Sequence, residues 1–213
     1  MRVAIHQPHY MPWLGYLRKM READIFVYLD NALYTKNVIN RNKILINGKE
    51  HWLTIPVAST NRSTQSIKKI KVNWERRWNV KHFRILLSSY FESMHTKKKD
   101  IEKFYVAEHE LLIDWDVRSI EFLCHAFGIK TPVLFESTLG INGKSTERLV
   151  NICREVGANT YLSGPGGRKY IDEKEFGDIK VEYMDWKPKS HLSALHFYLI
   201  DEYEALEEGI DAQ

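Results

Sequence analysis

The first thirty residues constrain the fold more tightly than any other stretch of this 213-residue chain. Residues 2–5 (RVAI) form a short β-branched run that ends at His6. HQPHYMPW follows, and Pro8 and Pro12 keep it out of regular structure. Trp13, Leu14, Leu17 and Met20 then recur at helical spacing up to about Arg21. DIFVYLD (24–30) is an apolar run bracketed by aspartates and reads as a buried strand. Strand, loop, helix and strand in this order make a βαβ unit, so the two strands run parallel.

The texture then changes. KILI (43–46), Asn47-Gly48 and HWLTIPV (51–57) predict a hairpin, because Asn-Gly supplies the positive φ angles of a tight turn. STNRSTQS (59–66) reads as a loop and IKKIKV (67–72) as an alternating strand. Helices are expected over 75–127, with Trp78, His82, Ile85, Leu86 and Ser89 on one face and KKK (97–99) in a loop. Apolar residues recur at three and four from Ile101 to Phe127, and Gly128 stops them. VLFEST (133–138), NTYLSG (159–164) and VEYMD (181–185) are expected strands, and 145–156 an expected helix closed by Gly157. The expected fold is therefore α/β: a Rossmann-like, mostly parallel sheet flanked by helices. Residues 1–35 and 130–190 would form its core, 36–75 a basic β-hairpin insertion and 76–128 a helical segment, all within one domain over 1–213.

Hydrophobic residues make up 44% and charged residues 28%, which excludes disordered, collagen-like and coiled-coil chains. No apolar run reaches the roughly 18 residues needed to span a bilayer, and MRVAIHQPHY lacks the pattern of a secretory signal. Cys124 and Cys153 are too few for a disulfide framework, so a reducing cytoplasm is the expected compartment. The net charge of +3 hides a sharp division. Residues 36–84 carry twelve Lys/Arg against two Asp/Glu, and 85–213 carry fifteen against twenty-three. A basic block of this size points to an anionic ligand near the first third.

In open α/β sheets ligands bind beyond the carboxyl ends of the strands. That rule selects HQPHYMPW and SGPGGRKY (163–170). His6 and His9, three apart, suit acid–base catalysis or hydrogen bonding to phosphate. They could also ligate a metal, although no acidic or Cys ligand adjoins them; the plain alternative is a buried strand end satisfied by backbone carbonyls. Lys36 and Arg41 suit a diphosphate, with Asn40 and Asn42 reading sugar hydroxyls or a base edge, or else the segment is a polar turn. GKSTERL (143–149) opens a helix whose Ser145 and Arg148 could face phosphate or serve only as a helix start. It is not a Walker A loop, since Thr138 stands where that loop needs glycine. Ser163, Gly164, Gly166 and Gly167 allow close backbone approach to a ligand or an anion nest, or simply a tight turn. No metal or dinucleotide motif and no Gly-x-Ser-x-Gly elbow is present. Trp74, Trp78, Lys81 and His82 could form a basic, aromatic surface for nucleic acid. The apolar hairpin strands interrupt that stripe, so nucleic acid ranks below a small anionic substrate.

IHQPHYMPWLGYLRKMREADIFVYLD, YTKNVINRNKI, HWLTIPV and STERLVNICREVGANTYLSGPGGRKYID, in this order, resemble the WbqC-like family of bacteria. The resemblance runs to about Trp186; beyond it, KPKSHLSALHFYLIDEYEALEEG departs from the family's usual ending. The family pattern falls on His6, Gln7, Pro8, Tyr10, Pro12, Trp13, Gly15 and Tyr16, on Lys36, Asn40, Arg41 and Asn42, and on 161–167 with Tyr170 beyond. Members occur in gene clusters for O-antigen and other surface polysaccharides. The resemblance therefore implies a transferase acting on a nucleotide-activated or phosphorylated sugar, with transfer of an acyl or aminoacyl group to an amino sugar as one form of that reaction. It would use His6 and His9 as acid and base, and Gln7, Tyr10, Trp13 and Tyr170 as substrate contacts. The opening strand, its His-x-x-His loop and the later Ser-x-x-Arg also look like a nucleotidyltransferase core, with Pro8 where that group carries glycine.

Overall fold

The computed structural model describes residues 1–35, 38–58 and 62–208. The opening unit is β1 (Arg2–His6), α1 (Leu14–Arg21) and β2 (Ile25–Tyr28). A hairpin follows, β3 (Arg41–Ile46) and β4 (Lys49–Thr54), then three helices, α2 (Trp78–Ser89), α3 (Met94–Val106) and α4 (Leu112–Ala126). The chain then returns through β5 (Val133–Phe135), α5 (Ser145–Glu155), β6 (Thr160–Ser163) and β7 (Lys180–Tyr183), and α6 (Ala194–Leu199) lies near its end.

Five strands form one parallel sheet in the order β5-β2-β1-β6-β7. Counted in chain order within that sheet this is 3-2-1-4-5, the doubly wound order. Successive side chains of a strand point to opposite faces, so β1 serves two cores. Ala4, with Phe26 and Tyr28 of β2, packs beneath Leu14, Leu17 and Met20 of α1 and the helices that follow. Val3 and Ile5, with Val27 and Tyr161, pack against Leu149, Val150, Ile152 and Cys153 of α5. The order reverses between β1 and β6, and the outer ends of these two strands meet the α5 start.

The Asn47-Gly48 turn forms as expected, with φ of +50° and +74° joining β3 to β4. Three expectations fail. IKKIKV forms a 3-10 turn at Ile67–Lys69 instead of a strand: its two buried isoleucines, Ile67 and Ile70, are three apart, the spacing that a 3-10 turn brings to one side, and Val72 is buried beyond the turn. KKK lies inside α3, where Lys97 turns inward to Asp201 and the Tyr198 carbonyl. The apolar periodicity after Ile101 breaks at Ala107, whose extended backbone ends α3 before α4 begins. Among the described residues no helix is long and apolar enough to cross a membrane.

Candidate functional site at the β1–β6 crevice

A cavity of about 330 Å³ opens at the carboxyl ends of β1 and β6. Four segments distant in sequence converge on it: His6 and Gln7 after β1, Leu29 after β2, Ser145 and Arg148 at the α5 start, and Tyr161 with Tyr170 from β6 and its loop. Ile5 and Leu149 supply apolar wall. Tyr161 is fixed by stacking on Phe176, ring centroids 5.4 Å apart. Tyr170, 64% exposed, forms the rim.

The β1–β6 pairing stops at Ala4 and Leu162, while β1–β2 pairing continues to His6 and Tyr28. The two strands therefore part where the topology reverses, which is where ligands enter this class of sheet. The Ile5 carbonyl, one residue past the last β1–β6 pair, accepts from Lys19 Nζ at 2.7 Å.

His6 is half-buried, and its Nδ1 sits 3.1 Å from the Gln7 carbonyl. A carbonyl only accepts, so that contact places the proton on Nδ1 and leaves the Nε2 lone pair available. His9 is 5% exposed and lies behind His6, edge-on at 4.8 Å between ring centroids. Tyr16 closes the triangle at 5.0 Å from His6 and 5.4 Å from His9. Burial, then the neighbouring His9 and Lys19, hold the His6 imidazole well below its usual titration range. Burial brings His9 down to about 4. Both rings are therefore neutral at physiological pH, the state in which imidazole accepts a proton.

Several predicted site residues sit elsewhere. Tyr10 is wholly buried, its hydroxyl 2.7 Å from Tyr105 OH and 3.1 Å from His82 Nδ1, so it is a core residue. Trp13 precedes α1 and lays its indole over Gly15, where a Cβ would come within 2.2 Å of the ring; it faces His191, not the cavity. Asn40 is clamped between Tyr34 OH and the Ile55 carbonyl, and Asn42 between the Met11 carbonyl and the Lys43 amide. With their amides occupied by the fold, neither reads a sugar. Arg41 stacks on Trp52 of the hairpin at 4.4 Å and does not line the cavity. Lys36 lies outside the described residues.

The glycine loop is likewise structural for most of its length. Pro165–Lys169 is a 3-10 turn, and none of Gly164, Gly166 and Gly167 has a positive φ, so the expected anion nest does not form. Gly167 is needed for packing, since a Cβ there would sit 2.1 Å from Ser163 Oγ. Ser163 is buried and donates to the Gly164 carbonyl. At the α5 start the N-cap is Lys144. Ser145 has φ +49°, a strained value for a residue with a side chain, at the cavity rim. Arg148 lines the cavity, but two N–H groups of its guanidinium grip buried Glu136 in a fork. Those donors are closed to phosphate. Among the described residues no group of three or more His, Cys, Asp or Glu side chains is placed to hold a metal.

Lys19 beside this site is the residue that sequence reasoning missed; Tyr16 fell on the family pattern but was given no role. Lys19 stands between Arg18 and Arg21, and three bases within four positions read as one solvated face. Only the α1 packing, with Tyr16, Leu17, Lys19 and Met20 all buried, separates it from its neighbours.

A doubly wound α/β protein with a histidine-bearing crevice at its switch point is the class these features define. The chain belongs to the WbqC-like protein family, which matches it over residues 7–196. It is also similar to the uncharacterized protein Rv1507c of Mycobacterium tuberculosis (strain ATCC 25618 / H37Rv), with 31% identity over 191 residues, covering 87% of this chain and 82% of that protein. No solved structure matches it.

Proposed function

We propose that the protein is a transferase of surface-polysaccharide synthesis that binds a nucleotide-activated or phosphorylated sugar in the β1–β6 crevice. The reaction is transfer of an acyl or aminoacyl group to a sugar amine. The amine nitrogen bonds to the donor's carbonyl carbon, the bond from that carbon to the leaving group breaks, and the amine proton passes to His6 Nε2. His9 backs the His6 ring, and Gln7 and Tyr170 contact the sugar. The observation that carries this reading is the convergence of His6, Gln7, Ser145 and Tyr170 on one cavity from three separate segments. Neutral His6 supports its role as base.

A thermal-shift screen of nucleotides, nucleotide sugars and acyl-coenzyme A thioesters tests it. A ligand at a hundred times its dissociation constant adds about 2.7 kcal/mol. His6→Gln should abolish turnover of the ligand pair so identified while leaving the melting temperature within a few degrees. Full activity in that variant contradicts the assignment, and release of pyrophosphate would instead indicate nucleotidyl transfer.

A second reading rests on a separate surface cleft along α2, lined by Arg76, Arg77, Lys81 and Arg84. That cleft suits an anionic polymer. Electrophoretic titration with generic DNA and RNA at two salt concentrations tests it, because phosphate contacts weaken steeply as salt rises.

A further inference from the structure

Two lysines are buried among the described residues, and they are treated differently by the fold. Lys97 has Asp201 at 2.6 Å and the Tyr198 carbonyl beside it. Lys19, 4% exposed, has one hydrogen-bond partner among the described residues, the Ile5 carbonyl, for three N–H donors. No carboxylate among the described residues pairs with it, and burial alone lowers its titration to about 7. A buried cation without a counter-ion is costly, and a protein keeps one where another requirement demands it.

Its position supplies that requirement. The ammonium sits where β1 and β6 part, on the carbonyl of cavity-lining Ile5. It lies 6.0 Å from the ring centroid of Tyr161, another lining residue. The titratable groups beside it are His6 from the loop after β1, whose titration its charge lowers, and Tyr161 from β6. The His6 imidazole is neutral and burial holds the Tyr161 phenol protonated, so neither offers an anion at physiological pH. An amine without a counter-ion thus stands directly behind two residues of the crevice wall, Ile5 and Tyr161, while Arg148, the cation that lines the crevice, is already paired.

We propose that Lys19 is the seat of a phosphoryl group in this crevice, with the ligand's anionic oxygens completing the ammonium's unfilled donor positions. Resting on the phosphorylated-sugar reading above, this names the group that receives the phosphate, a role the basic segment around Lys36 and Arg41 suggested from sequence.

Calorimetric titration of the full chain with inorganic pyrophosphate, in two buffers of different ionisation enthalpy at pH 8, tests the proposal. Wild type should bind and take up a proton as Lys19 becomes charged against the phosphate. Lys19→Met should bind at least tenfold more weakly and lose that uptake. Lys19→Gln, which keeps a donor for the Ile5 carbonyl without the charge, should do the same and guards against a packing effect. His6→Gln should retain the uptake. Equal affinity in wild type and both Lys19 variants would overturn the assignment and leave the phosphorylated-sugar reading standing. Loss of uptake in His6→Gln alone would transfer the role to His6. A wild type blind to pyrophosphate up to 10 mM, an upper limit of about 2.7 kcal/mol on binding, would defeat both.

Discussion

The Asn42 amide donates to the Met11 carbonyl and accepts from the Lys43 amide, stitching the HQPHYMPW loop to β3. Removing it takes the side-chain acceptor from the Lys43 amide and leaves the Met11 carbonyl to Ser193 Oγ alone, at about 1–3 kcal/mol. Asn42→Ala should therefore lower stability by that amount in urea denaturation while leaving pyrophosphate affinity unchanged. A selective loss of binding at full stability would restore it to the site. Lys19 makes the opposite prediction. It titrates near 7 in the fold against 10.5 in the unfolded chain, so the unfolded state holds more protons between those values. The cost is full below pH 7 and fades toward 10.5. Lys19→Met should thus gain at least about 1 kcal/mol at neutral pH, and less at pH 10, in matched denaturation curves. The place of His6 at the end of β1, on the cavity wall, was legible because the β-branched run stops there. Asn40 and Asn42 misled because an amide suits a sugar and a backbone clamp equally, and only the neighbouring carbonyls decide.

Elements were legible where the signal was local. The βαβ unit and the Asn-Gly hairpin follow from period and turn chemistry within a few residues. The α3 lysines were not, because the acid that draws Lys97 inward lies 104 residues further on. The same holds for the acidic end of the chain. Glu207 reaches Arg18 and Arg21 of α1, and Glu208 pairs with Lys189. These are exposed pairs of small individual worth. In the glycine loop, composition suggested ligand approach, whereas the fold uses Gly167 to close the turn on Ser163 and Ile171. Gly167→Ala should cost about 1–3 kcal/mol through overpacking, read as a lower denaturation midpoint. An unchanged midpoint would contradict that packing role.

At the scale of the molecule, the doubly wound order places the crevice at β1 and β6, and helix-covered faces bury histidines along with the core. His9 titrates near 4 and His82 near 3, both lowered by burial from 6.5 in the unfolded chain. The unfolded state then binds more protons between those values, so stability falls as pH drops from 6.5 toward 3. Urea midpoints should decline steadily below pH 6.5, and His82→Asn should flatten part of that decline. The basic block, legible as charge, divides in the fold between the hairpin, the α2 cleft and the solvated surface, since charge alone carries no position.

The most direct test of a ligand site at β1–β6 is ring-nitrogen NMR of the nine histidines during titration with a panel of nucleotide diphosphosugars. The account predicts that the His6 and His9 signals move together and saturate, while His82 and His196, packed in the core, stay still. Shifts confined to His51 and His95, with His6 and His9 unmoved at saturation, would contradict it.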